Sequence, residues 1–105
     1  MRTMRAAAAA LLLAVDGAQG LCCNSSFEIV DGVYLPWISN GAVGFPKHDQ
    51  EQAAIELWLS DKVGGRGVDT AWCYRNQEQV GYAVGNATEQ GTDRAEIFIT
   101  TKVRR

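Results

Sequence analysis

The chain has 105 residues, 47% hydrophobic and 21% charged, with 10 Lys and Arg against 12 Asp and Glu. The formal charge of −2 excludes the basic footprint of a nucleic-acid-binding domain. Eleven Gly against two Pro exclude collagen-like and Pro-rich classes, and no apolar run reaches the roughly 18 residues that span a bilayer as a helix.

Residues 1–5 carry Arg2 and Arg5, residues 6–15 are unbroken apolar, and Ala18-Gln19-Gly20 offers small residues at the exit. A charged start, a short apolar run and a small-residue exit predict a secretory signal peptide over 1–20, followed by a leader over 21–26. An Ala-rich transit peptide, or an extension from a misplaced start codon, is the alternative. Localisation follows that choice: the secretory pathway or the extracellular space with the signal peptide, the cytoplasm without it. The sequons Asn24-Ser25-Ser26 and Asn86-Ala87-Thr88 matter only in the first case. Cys22 and Cys23 are adjacent and Cys73 is the third cysteine, an odd and small set that makes no disulfide scaffold.

Residues 27–30 and 33–36 flank Asp31-Gly32 and predict a β-hairpin with a two-residue type I′ turn. Residues 37–43 predict a short extended segment ending at Gly41 and Gly44. Residues 48–59 predict a helix, with Asp49 and Gln52 as its capping pair and Ile55, Trp58 and Leu59 as its apolar stripe. Gly64-Gly65 is the predicted stop, through a left-handed C-cap. Residues 66–71 predict a strand. Asn76, with Gln79 three residues on, caps a second helix whose buried side is Val80, Val84 and Ala87. Gly91 ends that helix, and residues 97–101 predict a last strand closed by Lys102. Strands alternating with helices predict βαβ units and a parallel sheet. Three such strands and two helices neither cover nor close a sheet that must be buried on both faces.

Asp69 lies inside an apolar strand, where a carboxylate costs several kcal/mol to desolvate unless it is paired. Lys102 ends the next strand, and neighbouring parallel strands end at one face, where α/β proteins place their sites. Tyr74, five residues past Asp69, can fold over the same rim. A free phenol, with a pKa of about 10, is a poor acid at neutral pH, and a nearby ammonium favours its ionised form. A carboxylate in turn fixes the lysine. Such a trio can protonate an oxygen on which charge develops, as carbonyl reduction requires. A buried ion pair with a packing tyrosine is the structural alternative for the same three residues.

The stretch from Gly67-Val68-Asp69-Thr70-Ala71 through Tyr74, Asn76 and Val80-Gly81, followed by Phe98-Ile99-Thr100-Thr101-Lys102, closely resembles the aldo-keto reductases. The hairpin with Leu35-Pro36 and the following Gly41 resembles the hairpin that plugs the bottom of that family's barrel. The resemblance implies an α/β fold: the N-terminal part of a (β/α)₈ TIM barrel with an N-terminal β-hairpin, truncated after the third barrel strand, over residues 27–105. It implies an oxidoreductase that reduces aldehydes and ketones, the small-molecule carbonyl substrate, with NADPH, or less often NADH.

By position, Tyr74 is the general acid, Lys102 tunes it, and Asp69 pairs with Lys102 near the nicotinamide ribose. Gly41, Ala42 and Val43 stand beside cofactor and substrate, with Val43 and Tyr74 facing the substrate. No metal is implied. Ala42, Val43 and Gln77 depart from the residues usual at those places. The family's fourth catalytic residue, a His on the next strand, has no counterpart, because the sequence ends three residues after Lys102. His48, the only histidine, is expected to be a solvated helix-start residue. The chain alone is therefore expected to be inactive. The rival reading is a non-catalytic secreted remnant or an interaction module acting through its open sheet edge. The oligomeric state is left open.

Overall fold

The computed structural model describes residues 24–44 and 47–104. The expected signal peptide, with Cys22 and Cys23, lies outside those residues. The chain order is β1 (Ser26–Val30), β2 (Val33–Pro36), β3 (Ser39–Gly41), α1 (His48–Leu59), β4 (Gly67–Asp69), a 3₁₀ turn (Trp72–Tyr74), α2 (Gln77–Glu89), a second 3₁₀ turn (Arg94–Glu96) and β5 (Phe98–Thr100). Of the leader expected over 21–26, residues 21–23 lie outside the described residues. Ser26 already belongs to β1, and the Ser25 carbonyl accepts from the Trp37 N–H at 2.9 Å.

β1 and β2 form the expected antiparallel hairpin, but its turn is not type I′. Gly32 has φ +76° while Asp31 does not share a positive φ, and the pairing shifts register between Glu28 and Val30. One left-handed glycine next to a bulge is the longer hairpin connection, in which the extra residue takes up the twist. Glu28 holds the turn by accepting from the Gly32 N–H at 2.8 Å.

β3, β4 and β5 form a separate parallel sheet in that order, with Asn40, Val68 and Ile99 in one row and Gly41, Asp69 and Thr100 in the next. Successive strand residues face opposite sides, and Val68 is fully buried among helix side chains. The helices therefore cover the Val68 row and leave the Asp69 row on the other face. Ile55 and Leu59 of α1 meet Val80, Ala83, Val84 and Ala87 of α2 over Val68, with Ala42 and Ile97 at the margins. Arg66 and Glu96, which precede β4 and β5, line a cleft of about 260 Å³ with Tyr34 and Pro36. The hairpin thus sits against the N-terminal end of the sheet.

Both boundaries of α1 differ from expectation. Lys47, not Asp49, is the N-cap of α1, and Asp49 accepts only from the next N–H, that of Gln50, at 2.9 Å. Ser60, in extended conformation, is its C-cap, and Gly64, with φ +78°, lies four residues further on. The free Leu59 carbonyl at that end accepts from Arg66 Nη1 and from Thr92 Oγ1, each at 3.2 Å. α2 ends as expected at Gly91, whose φ is +109°. The Thr92 N–H reaches the Ala87 carbonyl and the Gly91 N–H the Thr88 carbonyl, both at 3.0 Å, a Schellman closure.

Gly65, between α1 and β4, serves close packing. The Trp58 indole N–H donates to the Gly67 carbonyl at 2.8 Å, and a Cβ on Gly65 would sit 2.1 Å from the Trp58 ring. Gly65→Ala should therefore destabilise the chain by about 1–3 kcal/mol, the usual cost of overpacking, measured by urea unfolding. Gly85→Ala, on the exposed face of α2 with nothing within 4 Å of the new methyl, should instead stabilise it by about 0.5–1 kcal/mol.

Candidate active site

The sheet ladder runs past the ends of its strands and so builds a rim. The Ala42 N–H donates to the Asp69 carbonyl at 2.9 Å, the Thr70 N–H to the Thr100 carbonyl at 2.8 Å, and the Trp72 N–H to the Lys102 carbonyl at 2.9 Å. Asp69 and Lys102 therefore emerge on adjacent strands at the same edge. Lys102 Nζ lies 2.5 Å from Asp69 Oδ1 and 3.1 Å from the Thr70 carbonyl oxygen. The chain then turns through the 3₁₀ segment and brings the Tyr74 ring to 5.1 Å, centroid to Lys102 Nζ. The three residues singled out from the sequence are thus brought together.

The desolvation argument applies less than expected. The Asp69 side chain is 35% exposed and that of Lys102 is 47% exposed, so the pair stands at an open rim. The hydrogen bond to Asp69 is the main cause that lifts the Lys102 ammonium above the ordinary lysine value of 10.5. Partial desolvation opposes it, and the neighbouring Tyr74 hydroxyl adds to it. Asp69 Oδ2 has no hydrogen-bond partner among the described residues.

Gly41 lies in register with Asp69, and a Cβ there would meet nothing within 4 Å, so its backbone is open to the rim. Val43 is exposed beside it. Ala42, expected beside the cofactor, is buried instead. Its methyl joins the core, its N–H is used by Asp69, and its carbonyl accepts from Asn76 Nδ2. Gln77, at the start of α2, donates to Thr101 Oγ1 at 2.8 Å. His48 opens α1 with its imidazole 60% exposed and turns its Nδ1 to Glu51 Oε2 at 3.7 Å, as a helix-start residue does. Among the described residues no group of three or more His, Cys, Asp or Glu is placed to hold a metal, and no helix is long and apolar enough to cross a membrane.

Beneath the rim lies a polar cluster that the sequence reading passed over. Asn76 occupies the N-cap of α2 as expected, yet makes no side-chain cap. Its Nδ2 donates to the Ala42 carbonyl and to Glu51 Oε1, and its Oδ1 accepts from Thr70 Oγ1 at 2.7 Å. The available signal was Glu51 itself. It stands four residues before Ile55 and eight before Leu59, a carboxylate on the apolar stripe.

No family model matches the chain. A glyoxal reductase of Bacillus subtilis is 37% identical over 80 residues, covering 76% of this chain and 27% of that protein. The human aldo-keto reductase family 1 member C4 is 32% identical over 77 residues, covering 72% of this chain and 24% of that protein. Among solved structures, a Bombyx mori aldo-keto reductase in complex with NADP matches with a TM-score of 0.67 and 28% identity, covering 76% of this chain and 27% of that one. The relatives and structural neighbours of this chain are aldo-keto reductases. The solved aldo-keto reductases are (β/α)₈ barrels, and the described strands form an open, three-stranded part of such a barrel. The chain spans about a quarter of the length of the curated relatives it matches.

The raised Lys102 value gives a prediction with a definite sign. A lysine whose folded value exceeds its unfolded one adds stability that is fully present below the unfolded value and is lost as pH rises through the folded one. Asp69→Asn should lower the Lys102 titration, read by ¹⁵Nζ NMR. The stability gap between this variant and the unmodified chain should close as pH rises through that titration.

Proposed function

We propose that the chain carries the acid–base part of an aldo-keto reductase site, which reduces aldehydes and ketones to alcohols. The observation that carries this reading is Lys102, bonded to Asp69 at 2.5 Å and 5.1 Å from the Tyr74 ring centroid, at the C-terminal rim of a parallel sheet. NADPH, or less often NADH, when bound supplies the hydride to the carbonyl carbon. Tyr74 donates its hydroxyl proton to the carbonyl oxygen as charge builds there. The Lys102 ammonium stabilises the negative charge left on the phenol oxygen, and Asp69 holds the ammonium in place. The residues present fit a nicotinamide ribose. Asp69 Oδ2, which makes no hydrogen bond among the described residues, can accept from a sugar hydroxyl, and Gly41 leaves the adjoining backbone bare. Val43 offers an apolar contact to the substrate.

A second reading has its own support. Phe27, Ile29, Val30, Tyr34 and Trp37 of the hairpin region are exposed, as an interaction module would have them. A defined oligomer by light scattering, without NADPH binding or turnover in any context, would favour it.

Two measurements test the enzymatic reading. Residues 27–105 grafted onto the remaining barrel of the Bacillus subtilis relative should reduce a small aldehyde with NADPH. Tyr74→Phe should lower kcat by about 10²–10⁴, the usual weight of a general acid, with NADPH binding intact. Turnover that survives the substitution would show that Tyr74 is not the acid. The 105-residue chain alone, whose one histidine turns to Glu51, should show neither turnover nor tight NADPH binding. A micromolar Kd by fluorescence titration would contradict that expectation.

A further inference from the structure

The proposed chemistry uses Asp69, Tyr74 and Lys102 and leaves Glu51, Thr70 and Asn76 unexplained, although these are the most deeply buried polar side chains near the rim. Asn76 is 1% exposed and Glu51 is 3% exposed. A carboxylate and a carboxamide in an apolar interior persist only when their hydrogen bonds are made. Here both protons of Asn76 Nδ2 are used, one on the Ala42 carbonyl and one on Glu51 Oε1, and Oδ1 accepts from Thr70 Oγ1. The amide has one orientation. Turned over, it would set its oxygen against two acceptors.

The placement of these bonds along the chain gives them a purpose. Thr70 and Asn76 bracket the segment that carries Tyr74, and the bond from Thr70 Oγ1 to Asn76 Oδ1 closes it into a loop. Ladder bonds at Thr70 and Trp72 hold its start, and the Asn76 carbonyl accepts from the Val80 N–H at 3.0 Å to begin α2. Between them Arg75 adopts the left-handed conformation, φ 57°, a cost for a non-glycine residue that the closed loop imposes. Thr70 is also shared with the rim, since its carbonyl accepts from Lys102 Nζ at 3.1 Å.

We propose that Asn76, held by the buried Glu51, is the positioning residue of this site, and that closing the loop from Thr70 to Asn76 keeps Tyr74 over Lys102. The inference rests on the proposed use of Tyr74 and Lys102, but its test involves neither cofactor nor carbonyl compound.

A lysine side chain beside an aromatic ring has its ε-methylene protons shifted upfield, so NMR of the chain reads the Tyr74–Lys102 placement directly. In Asn76→Asp two carboxyl groups face each other and the Ala42 carbonyl loses its donor. The upfield shift should fall by at least about half while core methyl resonances of Ile55 and Leu59 stay in place. Glu51→Gln keeps an acceptor for Asn76 and should retain the shift. Adding it to Asn76→Asp reverses donor and acceptor and should restore part of what was lost. Thr70→Val, which opens the loop and creates no new charge, should also reduce the shift, and it decides the matter if Asn76→Asp does not fold. Folded Asn76→Asp or Thr70→Val chains with an unchanged Lys102 shift would overturn the proposal. If the shift follows the variants but Tyr74→Phe leaves turnover of the grafted enzyme intact, the positioning stands and the acid role of Tyr74 falls.

Discussion

The buried Asn76 carboxamide is the constraint on which the rest of the structure depends. It joins the exit of β3 through the Ala42 carbonyl, α1 through Glu51 and the exit of β4 through Thr70, and it is itself the first residue before α2. Four chain segments meet at one side chain. Apolar packing between α1 and α2 is non-directional and would accept a small slide of one helix over the other. A hydrogen-bonded amide in a low-dielectric interior does not, because misalignment leaves a buried polar group without its partner, at a cost of about 1–3 kcal/mol. The core supplies cohesion and the amide supplies register.

That register matters at the rim because parallel strands bring their ends to the same edge but leave the side chains there to their own flexibility. Asp69 and Lys102 are placed by adjacent strands, Asp69 in register with Thr100 and Lys102 two residues further on. Tyr74 is not on a strand. It depends on a short 3₁₀ turn whose two ends must be fixed if the phenol is to stay near the ammonium. The partial exposure of the pair fits this division, since an ion pair at an open edge contributes little to stability.

Most of the architecture was legible in the sequence because its signals are local and redundant. Apolar periodicity located α1 and α2, β-branched runs located β4 and β5, and Gly91 marked a true Schellman end. The misreadings share one cause. Asp31-Gly32, Asp49 with Gln52, and Gly64-Gly65 were each assigned the commonest local use of those residue types. In the folded chain, packing decides instead. The hairpin takes a bulge, the α1 cap moves to Lys47, and the loop glycine beside Trp58 makes room for an indole ring. At the site, Asp69, Tyr74 and Lys102 were found because a charge on an apolar strand and a fixed spacing are visible in one dimension. The partnership of Asn76 and Glu51 spans 25 residues, so Asn76 alone reads as an ordinary N-cap and Glu51 on the apolar stripe does not name its partner. The burial of Ala42 was hidden for the same reason.

The two ends of the sheet are built on opposite principles. At the N-terminal end Arg66 donates to the Leu59 and Gly65 carbonyls through Nη1 and to Glu96 through Nε at 3.1 Å, and so closes α1 against β4 and β5. At the C-terminal end Lys102 has only one carboxylate oxygen and one carbonyl, stands half-exposed, and faces an aromatic hydroxyl. A cation largely buried against backbone carbonyls serves as a fastener. A cation left with spare capacity beside a polarisable hydroxyl can still respond to charge that appears nearby. By that physical criterion the Arg66 end holds the fold, and the Lys102 rim is the end left able to respond to charge.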